Sequence, residues 1–560
     1  MKIFRVNLPH VLILGLLLHT GVQAIPVEAS NPVAGFLRRL EEKGIIDPGF
    51  LSTLPLQEYE VEKALSSAYK HSDQLGAWDR RQLKTYLDIF DPVRKRHGTK
   101  IQYRDSSFTV YGNVSFYTGI FVRDSIPRAD TYAFGTLSPG LEASYRNWID
   151  LTTTATVGRE QSLHPRHRGE NFLPQNGLPF NIERMDGQPV GKVSTFDGFR
   201  MMIGFGREDL RLEGGQDWNQ WGPGQWQHTT LGQYPYFWGS DSLAASPGPG
   251  FEGTQTPGSY RRGYRYPGEG PPLPQIRLTF KSDRWEYTKI VAQRTGLWKD
   301  SSAMLMAHRL QLRAGDFKFG LTEMLTIGSR NPGLLALLPA VPLKVIEHEG
   351  GNRDNTAMSG DVEWIWPGYG RIYGEFFLDD FSAPPLDYWG NKFAWTVGVS
   401  LQDPFSLPSE IHVEYSRVDP WVYGHNLPGN QMQSYGALLG SSLPPNSQAV
   451  NASVAFPLPF GATGALEWNF RQRDLKSRGS SIFDNYFDDD FNPPPKETIK
   501  QFLVRDVETR HTLTAAADWR WNRFLELKCE AGWLHVQNWR GEPGVTLSAP
   551  SASSEIWLHY

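Results

Sequence analysis

The chain has 560 residues with 56 basic and 60 acidic side chains, and its net charge of −4 argues against a nucleic-acid partner. Its one cysteine excludes an intramolecular disulfide. Aromatic residues make up 13% of the chain, yet the mean hydropathy is −0.43, which is unusual for a soluble enzyme and typical of a membrane barrel; a secreted two-domain soluble protein also satisfies these numbers.

The first 24 residues have the pattern of a secretory signal peptide. Lys2 and Arg5 form a basic start, residues 11–18 form an apolar run, and Val22 and Ala24 occupy the small positions before a cleavage site. The run is far shorter than the ~20 residues of a membrane-spanning helix, which disfavours a membrane anchor. We therefore predict export, with cleavage after Ala24.

Residues 32–92 have the apolar spacing of helices. After Pro32, apolar residues recur at positions 33, 36, 37 and 40, and Asn31 is a suitable N-cap. Segments 57–69 and 73–90 also place their apolar residues on one face. Three short helices bury too little surface for a large independent core. We predict a small helical bundle, residues 25–98, seated on the periplasmic end of a barrel.

From residue 99 to residue 560 the pattern is that of β-strands. Apolar and polar residues alternate in 107–119, about the length that a tilted strand needs to cross the apolar layer, and the pattern recurs at 141–146 and 151–157. At roughly 25 residues per strand and loop, this region gives about 16 to 20 strands. A propeller or solenoid is disfavoured because no fixed repeat is visible. The predicted fold class is an all-β membrane protein, a large antiparallel transmembrane barrel of about 18 strands with a small N-terminal α-helical bundle.

The last two strands carry further evidence. In 525–533 an apolar face alternates with charged residues, and Cys529 falls on the apolar face, where we expect it to contact lipid. Ile556, Leu558 and Tyr560 alternate with polar or interfacial residues at the C-terminus. A final strand of this kind, ending on an aromatic residue, resembles the closing strand of outer-membrane barrels.

Two long segments are too rich in Gly and Pro, or in Asp, to be strands. They are 232–274, which carries Tyr260, Arg262 and Tyr264, and the acidic 480–496. Aromatic rings can stack on sugars while Arg binds anionic groups, so the first loop and the Trp-rich 217–226 are candidates for polysaccharide binding. Girdle aromatics or turn residues are the alternative interpretation.

The sequence contains none of the usual catalytic or metal-binding motifs. A nucleophile elbow, a metalloprotease helix, a phosphate-binding loop and a cysteine pair are all missing from it. The acidic run Asp488-Asp489-Asp490 lacks the spacing and glycine of a calcium loop. We therefore expect neither catalysis nor a cofactor or bound metal.

An ordered series of short motifs resembles the Wzi family of outer-membrane capsule-assembly proteins. The motifs are Thr53-Leu54-Pro55-Leu56, Trp221-Gly222-Pro223-Gly224, Ala307-His308-Arg309-Leu310, Gly320-Leu321-Thr322-Glu323, Asp354-Asn355, Gly360-Asp361, Tyr373-Gly374-Glu375, Asp379-Asp380-Phe381, Glu414-Tyr415-Ser416-Arg417, Asp419-Pro420-Trp421-Val422-Tyr423-Gly424-His425, and Gly436 and Gly440 with Pro445-Asn446. The series covers most of the mature chain. It implies an eighteen-stranded barrel with a periplasmic helical bundle, acting as a surface lectin that holds capsular polysaccharide.

The polar motif residues have two possible roles, in a lumen network that closes the pore or in direct contact with glycan. Together with the loop aromatics, the candidates are Trp218, Trp221, Tyr260, Arg262, Tyr264, His308, Arg309, Glu323, Asn355, Asp379, Asp380, Glu414, Tyr423 and His425. The leading hypothesis is non-catalytic binding of capsular or other surface polysaccharide, and the alternative is a diffusion channel or transporter for small solutes. Expected partners are outer-membrane lipid and lipopolysaccharide, the polysaccharide, and the barrel-insertion machinery; we expect a monomer.

Overall fold

In the computed structural model, the described residues are 26–27, 31–90, 101–104, 108–123, 130–146, 148–167, 189–232, 272–295, 302–328, 333–339, 341–351, 353–381, 384–425, 427–434, 437–482, 484, 499–521 and 524–559. The signal peptide, the loop carrying Tyr260, Arg262 and Tyr264, and Tyr560 lie outside them. The signal peptide and the domain boundaries at 24 and 98 stay predictions.

The N-terminal region forms the predicted helices α1 (Val33–Glu42), α2 (Glu58–Lys70) and α3 (Ala77–Phe90). Apolar residues such as Leu37, Leu65 and Leu83 are buried between them. At the start of α2, Gln57 and Glu60 form a capping box that satisfies free backbone N–H groups. No helix among the described residues combines the length and apolarity needed to span a bilayer.

Eighteen antiparallel strands form a closed barrel, which confirms the predicted fold class. They are β1 (Phe108–Arg123), β2 (Asp130–Tyr145), β3 (Ile149–His167), β4 (Pro189–Gly206), β5 (Leu210–Asp217), β6 (Leu273–Lys281), β7 (Trp285–Thr295), β8 (Ser302–Ala314), β9 (Phe317–Ile327), β10 (Asn355–Trp366), β11 (Gly370–Asp380), β12 (Lys392–Gln402), β13 (Glu410–Val418), β14 (Ser447–Pro457), β15 (Thr463–Arg473), β16 (Glu508–Arg520), β17 (Leu525–Gln537) and β18 (Thr546–His559). Each strand pairs with the next, and β18 pairs with β1; the short strand Ile101–Arg104 also pairs with β1.

Alternation along β11 shows how the sequence sets the two faces of the wall. Ile372 and Phe376 are exposed on the outside, whereas Arg371, Glu375 and Phe377 are buried inside. A strand places successive side chains on opposite faces, so apolar residues meet lipid and charged residues meet the lumen. Cys529 is exposed, as expected for a lipid-facing position.

The two ends of the barrel differ in their connections. Short turns such as 315–316 and 367–369 join strands at one end, and the long connections 218–272 and 474–507 leave their strands at the other end. In outer-membrane barrels, short turns face the periplasm and long loops face the exterior. The bundle sits at the short-turn end, where the N–H of Gly368 donates to the carbonyl oxygen of Glu42 at 2.9 Å. The bundle therefore lies at the short-turn end of the barrel, and its periplasmic location stays a prediction.

One connection folds over the outside of the barrel. We call residues 333–351, where described, the outer cover; they include helix α4 (Leu343–Glu349). Leu343 and Ile346 pack with Met306 and Leu325 from the outer face of β8 and β9. The outer cover therefore separates part of the wall from lipid.

Candidate functional site

A loop that follows β5 folds into the lumen. We call residues 218–232 the inner loop; from Trp221 onward every residue is buried. Gln220 and Trp221 pair in antiparallel fashion with Leu54 and Thr53, which precede α2. The inner loop therefore connects the N-terminal region with the barrel interior.

Two glycines allow the inner loop to turn in this space. Gly222 has φ +117°, and a Cβ there would lie 2.6 Å from Oε2 of Glu375. A Cβ on Gly224 would lie 1.8 Å from the carbonyl oxygen of Gln227. Only a residue without a Cβ fits at either position, which gives these motif glycines a structural role.

Glu414 on β13 anchors the first half of the inner loop. Its carboxylate accepts hydrogen bonds from the N–H groups of Gln225 (2.6 Å), Trp226 (3.2 Å) and Gln227 (2.9 Å), and from the Tyr373 hydroxyl (2.7 Å). The Glu414 side chain is fully buried. Burying an unpaired carboxylate costs on the order of several kcal/mol, so these four donors account for its position.

Glu375 on β11 anchors the second half of the inner loop. It accepts hydrogen bonds from the N–H groups of Thr229 (3.1 Å) and Thr230 (2.9 Å) and from the Thr230 hydroxyl. On the same face of β11, Arg371 donates to the carbonyl oxygen of Pro223 at 2.9 Å. Strand β11 therefore holds the inner loop both near Pro223 and near Thr230.

A second loop, 419–446 where described, packs against the inner loop. The N–H of Tyr423 donates to Asp379 at 2.8 Å, and its hydroxyl donates to the carbonyl oxygen of Thr229 at 2.7 Å. Its ring contacts Phe377, with centroids 5.2 Å apart. Burial raises the pKa of the Tyr423 hydroxyl well above its ordinary value, so the group remains a donor. Both loops fill the lumen beside β9–β14.

Buried ion pairs join the bundle to the same strands. Arg371 pairs with Glu42 of α1 at 3.1 Å, and Lys318 pairs with Glu41 at 2.5 Å. The sequence separation in the first pair is 329 residues. Since removing one partner of a buried pair leaves an uncompensated charge, these contacts fix where the bundle docks.

A further cluster lies between the bundle and the turn after β12. Arg39 pairs with Asp79 at 2.7 Å and with Asp403 at 2.8 Å, and Lys43 contacts both carboxylates at 2.5 Å. Burial by itself would raise the pKa of Asp403, but the Lys43 hydrogen bond and the Arg39 charge outweigh it and lower that pKa below its usual value. The docked bundle thus favours an ionised Asp403.

Arg309 lies on the inward face of β8. Its guanidinium makes two hydrogen bonds to Asp361, at 2.6 and 3.0 Å, and a third to the Thr53 hydroxyl at 2.9 Å. Thr53 in turn donates to Gln311 at 2.6 Å. With all these groups buried, Arg309 belongs to the network that holds the N-terminal segment in the barrel.

His308 and Glu323 lie on the outer face of the barrel, so the expectation that they face the lumen is wrong. They pair with each other at 3.0 Å, and Glu323 accepts hydrogen bonds from the N–H groups of Leu343 (2.8 Å) and Lys344 (2.7 Å). Lys289, also on this face, donates to the carbonyl oxygen of Leu338. The outer cover shields this polar row from lipid, which explains charged residues in an outward register.

The remaining candidates, toward the end of the barrel with the long connections, occupy separate places. Asn355 donates to the carbonyl oxygen of Asn430 at 3.3 Å, and Asp380 pairs with Lys392 at 2.7 Å while staying half-exposed. Burial and the Lys392 charge lower the pKa of His425 to about 4, so this side chain is neutral at neutral pH. Each of these three residues therefore has a partner of its own, and none of those partners is Glu414.

Trp218 is half-buried at the start of the inner loop, with the Arg200 guanidinium 4.9 Å from its ring centroid. Trp221, Asp379, Glu414 and Tyr423 come together around the inner loop. Tyr260, Arg262 and Tyr264 lie outside the described residues, so their role in polysaccharide binding stays a prediction.

Several residues of the network are missing from the candidate set. Arg371 and Glu375 lie at its centre, and Arg277 links Glu213 (3.2 Å) with Asp217 (3.1 Å) below the inner loop. The sequence did contain a signal for these residues, because each is a charged residue at an inward-facing position of a membrane strand. Charged groups at such positions need partners in the lumen.

The opposite wall of the lumen carries small hydroxyl side chains. Ser138 and Thr156 hydrogen-bond to each other at 3.0 Å, and Thr514 and Ser553 face inward on β16 and β18. All four are only half-buried. In the described part of the lumen, this wall is therefore more open than the wall of β9–β14. No group of three or more metal-ligating side chains occurs among the described residues.

Comparisons with known proteins give a match of fold. No family model and no curated protein sequence matches the chain. The structure of Wzi, an outer-membrane protein involved in group 1 capsule assembly in Escherichia coli and described as a carbohydrate-binding β-barrel, aligns with a TM-score of 0.55 and 12% identity over 96% of this chain and 99% of that one. This confirms the resemblance to Wzi at the level of the fold.

Two further solved structures align over less of this chain. OccAB4 from Acinetobacter baumannii gives a TM-score of 0.43 and 9% identity, covering 82% of this chain and 99% of its own. OprD from Pseudomonas aeruginosa gives 0.41 and 10%, covering 83% and 97%.

Proposed function

We propose that this outer-membrane barrel binds capsular or other surface polysaccharide at the cell exterior and attaches it there without catalysis. The observation that carries the proposal is the filled lumen beside β9–β14. Glu375 and Glu414 hold the inner loop across the interior, and the bundle docks beneath it. Because this part of the interior is occupied by anchored loops, we place polysaccharide binding on the extracellular loops. Structural likeness to a carbohydrate-binding barrel agrees with this proposal.

The proposed glycan contacts are Tyr260, Arg262 and Tyr264 of the long loop, together with Trp218. Their rings suit the apolar faces of sugars, and Arg262 suits an anionic substituent. We further propose cleavage of the signal peptide, insertion by the barrel-insertion machinery, contact with lipopolysaccharide and a monomeric state.

Surface retention of polysaccharide by intact cells tests the proposal. Deletion of the gene should release polysaccharide into the medium, and the full chain should restore retention. The variant R262A/Y264A should restore much less. Tyr69→Ala, which changes an exposed tyrosine on the periplasmic helix α2, serves as the matched control and should restore it fully. Unchanged retention after deletion would rule out the proposal.

The second candidate is a diffusion channel for small polar solutes. The half-buried hydroxyl wall that includes Ser138, Thr156, Thr514 and Ser553 favours it, because small hydroxyl side chains leave wettable space. Single-channel recording in planar bilayers separates the two functions. Steady conductance through the full chain would favour the channel, and brief or absent conductance would favour the binding barrel.

A further inference from the structure

A cavity of about 210 Å³ lies between the helical bundle and the barrel wall. Helices α1 and α3 form one side, strands β13–β16 form the other, and Gln225 of the inner loop reaches it from the lumen. Arg81, which is exposed on α3, and Gly461, in the turn between β14 and β15, lie at its edge. The cavity therefore opens at the periplasmic end, far from the extracellular loops.

The charged groups that line its deeper part already have partners. Arg39 is paired with the two carboxylates of the docking cluster, and Glu410 is hydrogen-bonded to the histidine two residues further along β13. Arg520 donates to a glutamate on β17 at 2.9 Å, and Glu467 and Asp518 are also engaged. A charged ligand would add an unpaired buried charge. The cavity thus favours a neutral ligand.

Three polar side chains in the lining retain unused hydrogen-bonding capacity. Gln82, Gln225 and Ser453 make no side-chain hydrogen bond within the described part of the chain. Each can both donate and accept, since an amide has a carbonyl oxygen and an NH₂ group, and a hydroxyl serves both roles. Ligand hydroxyl groups also donate and accept, so these side chains suit a polyol.

Aromatic rings supply the other half of the lining. Phe36 and Tyr86 stack with centroids 5.1 Å apart, and Trp78 is fixed by its N–H bond to the Thr463 hydroxyl at 3.2 Å. Flat rings beside a few convergent polar groups are the usual composition of a small-molecule site. A sugar ring matches both the aromatic rings and the polar side chains of this lining, because its C–H face is apolar and its edge carries hydroxyl groups.

We propose that this cavity binds one neutral sugar ring from the periplasmic side. Its volume is below the roughly 300–1,000 Å³ of sites for drug-sized ligands, which limits the occupant to about one ring. The site is separate from the extracellular loops and does not depend on polysaccharide binding there. It gives the barrel a second saccharide contact, on the opposite side of the membrane.

Saturation-transfer-difference NMR on the full chain, in a detergent without a sugar headgroup, tests this site. The probes are methyl glucopyranoside and methyl galactopyranoside. The wild type should transfer saturation to at least one of them, and Ser453→Phe, which fills the cavity, should reduce that transfer about tenfold. Ser553→Phe is the matched control, because it places the same side chain on the lumen face of β18, outside the cavity.

Transfer that is lost in S453F and kept in S553F supports the site, provided that both variants have the circular dichroism spectrum of the wild type. No transfer to either probe in the wild type, or equal transfer in S453F, overturns it. Polysaccharide retention by cells producing S453F should stay normal. A failed retention assay would therefore refute the surface function without affecting this site.

Discussion

Replacing Glu414 by Ala should free the inner loop from the barrel wall. The carboxylate accepts four hydrogen bonds, three of them from consecutive backbone N–H groups. Hydrogen bonds to charged groups contribute about 1.5–3 kcal/mol each. Because the loop can relax and hydrate, we expect about 3–4 kcal/mol of lost loop stability, which raises its opening equilibrium by roughly a hundred- to several-hundred-fold.

Hydrogen exchange measured by mass spectrometry reads this change directly. The backbone amides of 225–227 should lose protection by about two to three orders of magnitude in E414A. Glu323→Ala is the matched control, since Glu323 also accepts two backbone N–H groups, but from the outer cover. It should deprotect 343–344 and leave 225–227 unchanged. Equal protection of 225–227 in E414A and the wild type would refute the anchoring role of Glu414.

The lowered pKa of Asp403 means that its contribution to bundle docking is complete above the ordinary carboxyl pKa and is lost as the pH falls through the lowered value. Thermal unfolding followed by circular dichroism should show that the bundle becomes less stable below about pH 4. Asp403→Asn should weaken docking at neutral pH and abolish this loss of stability at acid pH. Gly224→Ala should lower the yield of folded barrel, because the added Cβ would lie 1.8 Å from a backbone carbonyl oxygen. Folded barrel can be measured by its heat-modifiable mobility in gels, and a normal yield would contradict the close packing at Gly224. In liposomes, Cys529 should react at least about tenfold faster with an apolar maleimide than with a charged thiosulfonate. The reason is that lipid disfavours both the thiolate form of the cysteine and the ionic reagent. Equal rates with the two reagents would place the thiol in water.

Strand-level features were predictable from the sequence because they follow from local alternation. Ile372 and Phe376 alternate with Arg371 and Glu375, and a closed barrel assigns these two sets to lipid and lumen. The three helices follow from their apolar spacing in the same way. Neither prediction needs information about distant parts of the chain.

The interior was less predictable because its contacts are distant in sequence. Glu414 and Gln225 are separated by 189 residues, and no local pattern indicates that a loop near β5 returns to β13. His308 and Glu323 show a second limit. A polar residue in a strand can be assigned to the lumen only where lipid contacts the outer face of the barrel. At His308 and Glu323 the outer cover, and not lipid, contacts that face.

The ion pairs between bundle and barrel also constrain the order of assembly. Glu42 leaves the ribosome long before Arg371, yet the two form a buried pair, with 329 residues between them. The barrel partners of α1 run from Lys318 on β9 to Asp403 in the turn after β12, and all are synthesised in the second half of the chain. Non-local contacts of this kind form late, after the intervening chain is arranged. The ion pairs between the bundle and the wall can therefore form only after β9 to β12 have been arranged beside α1.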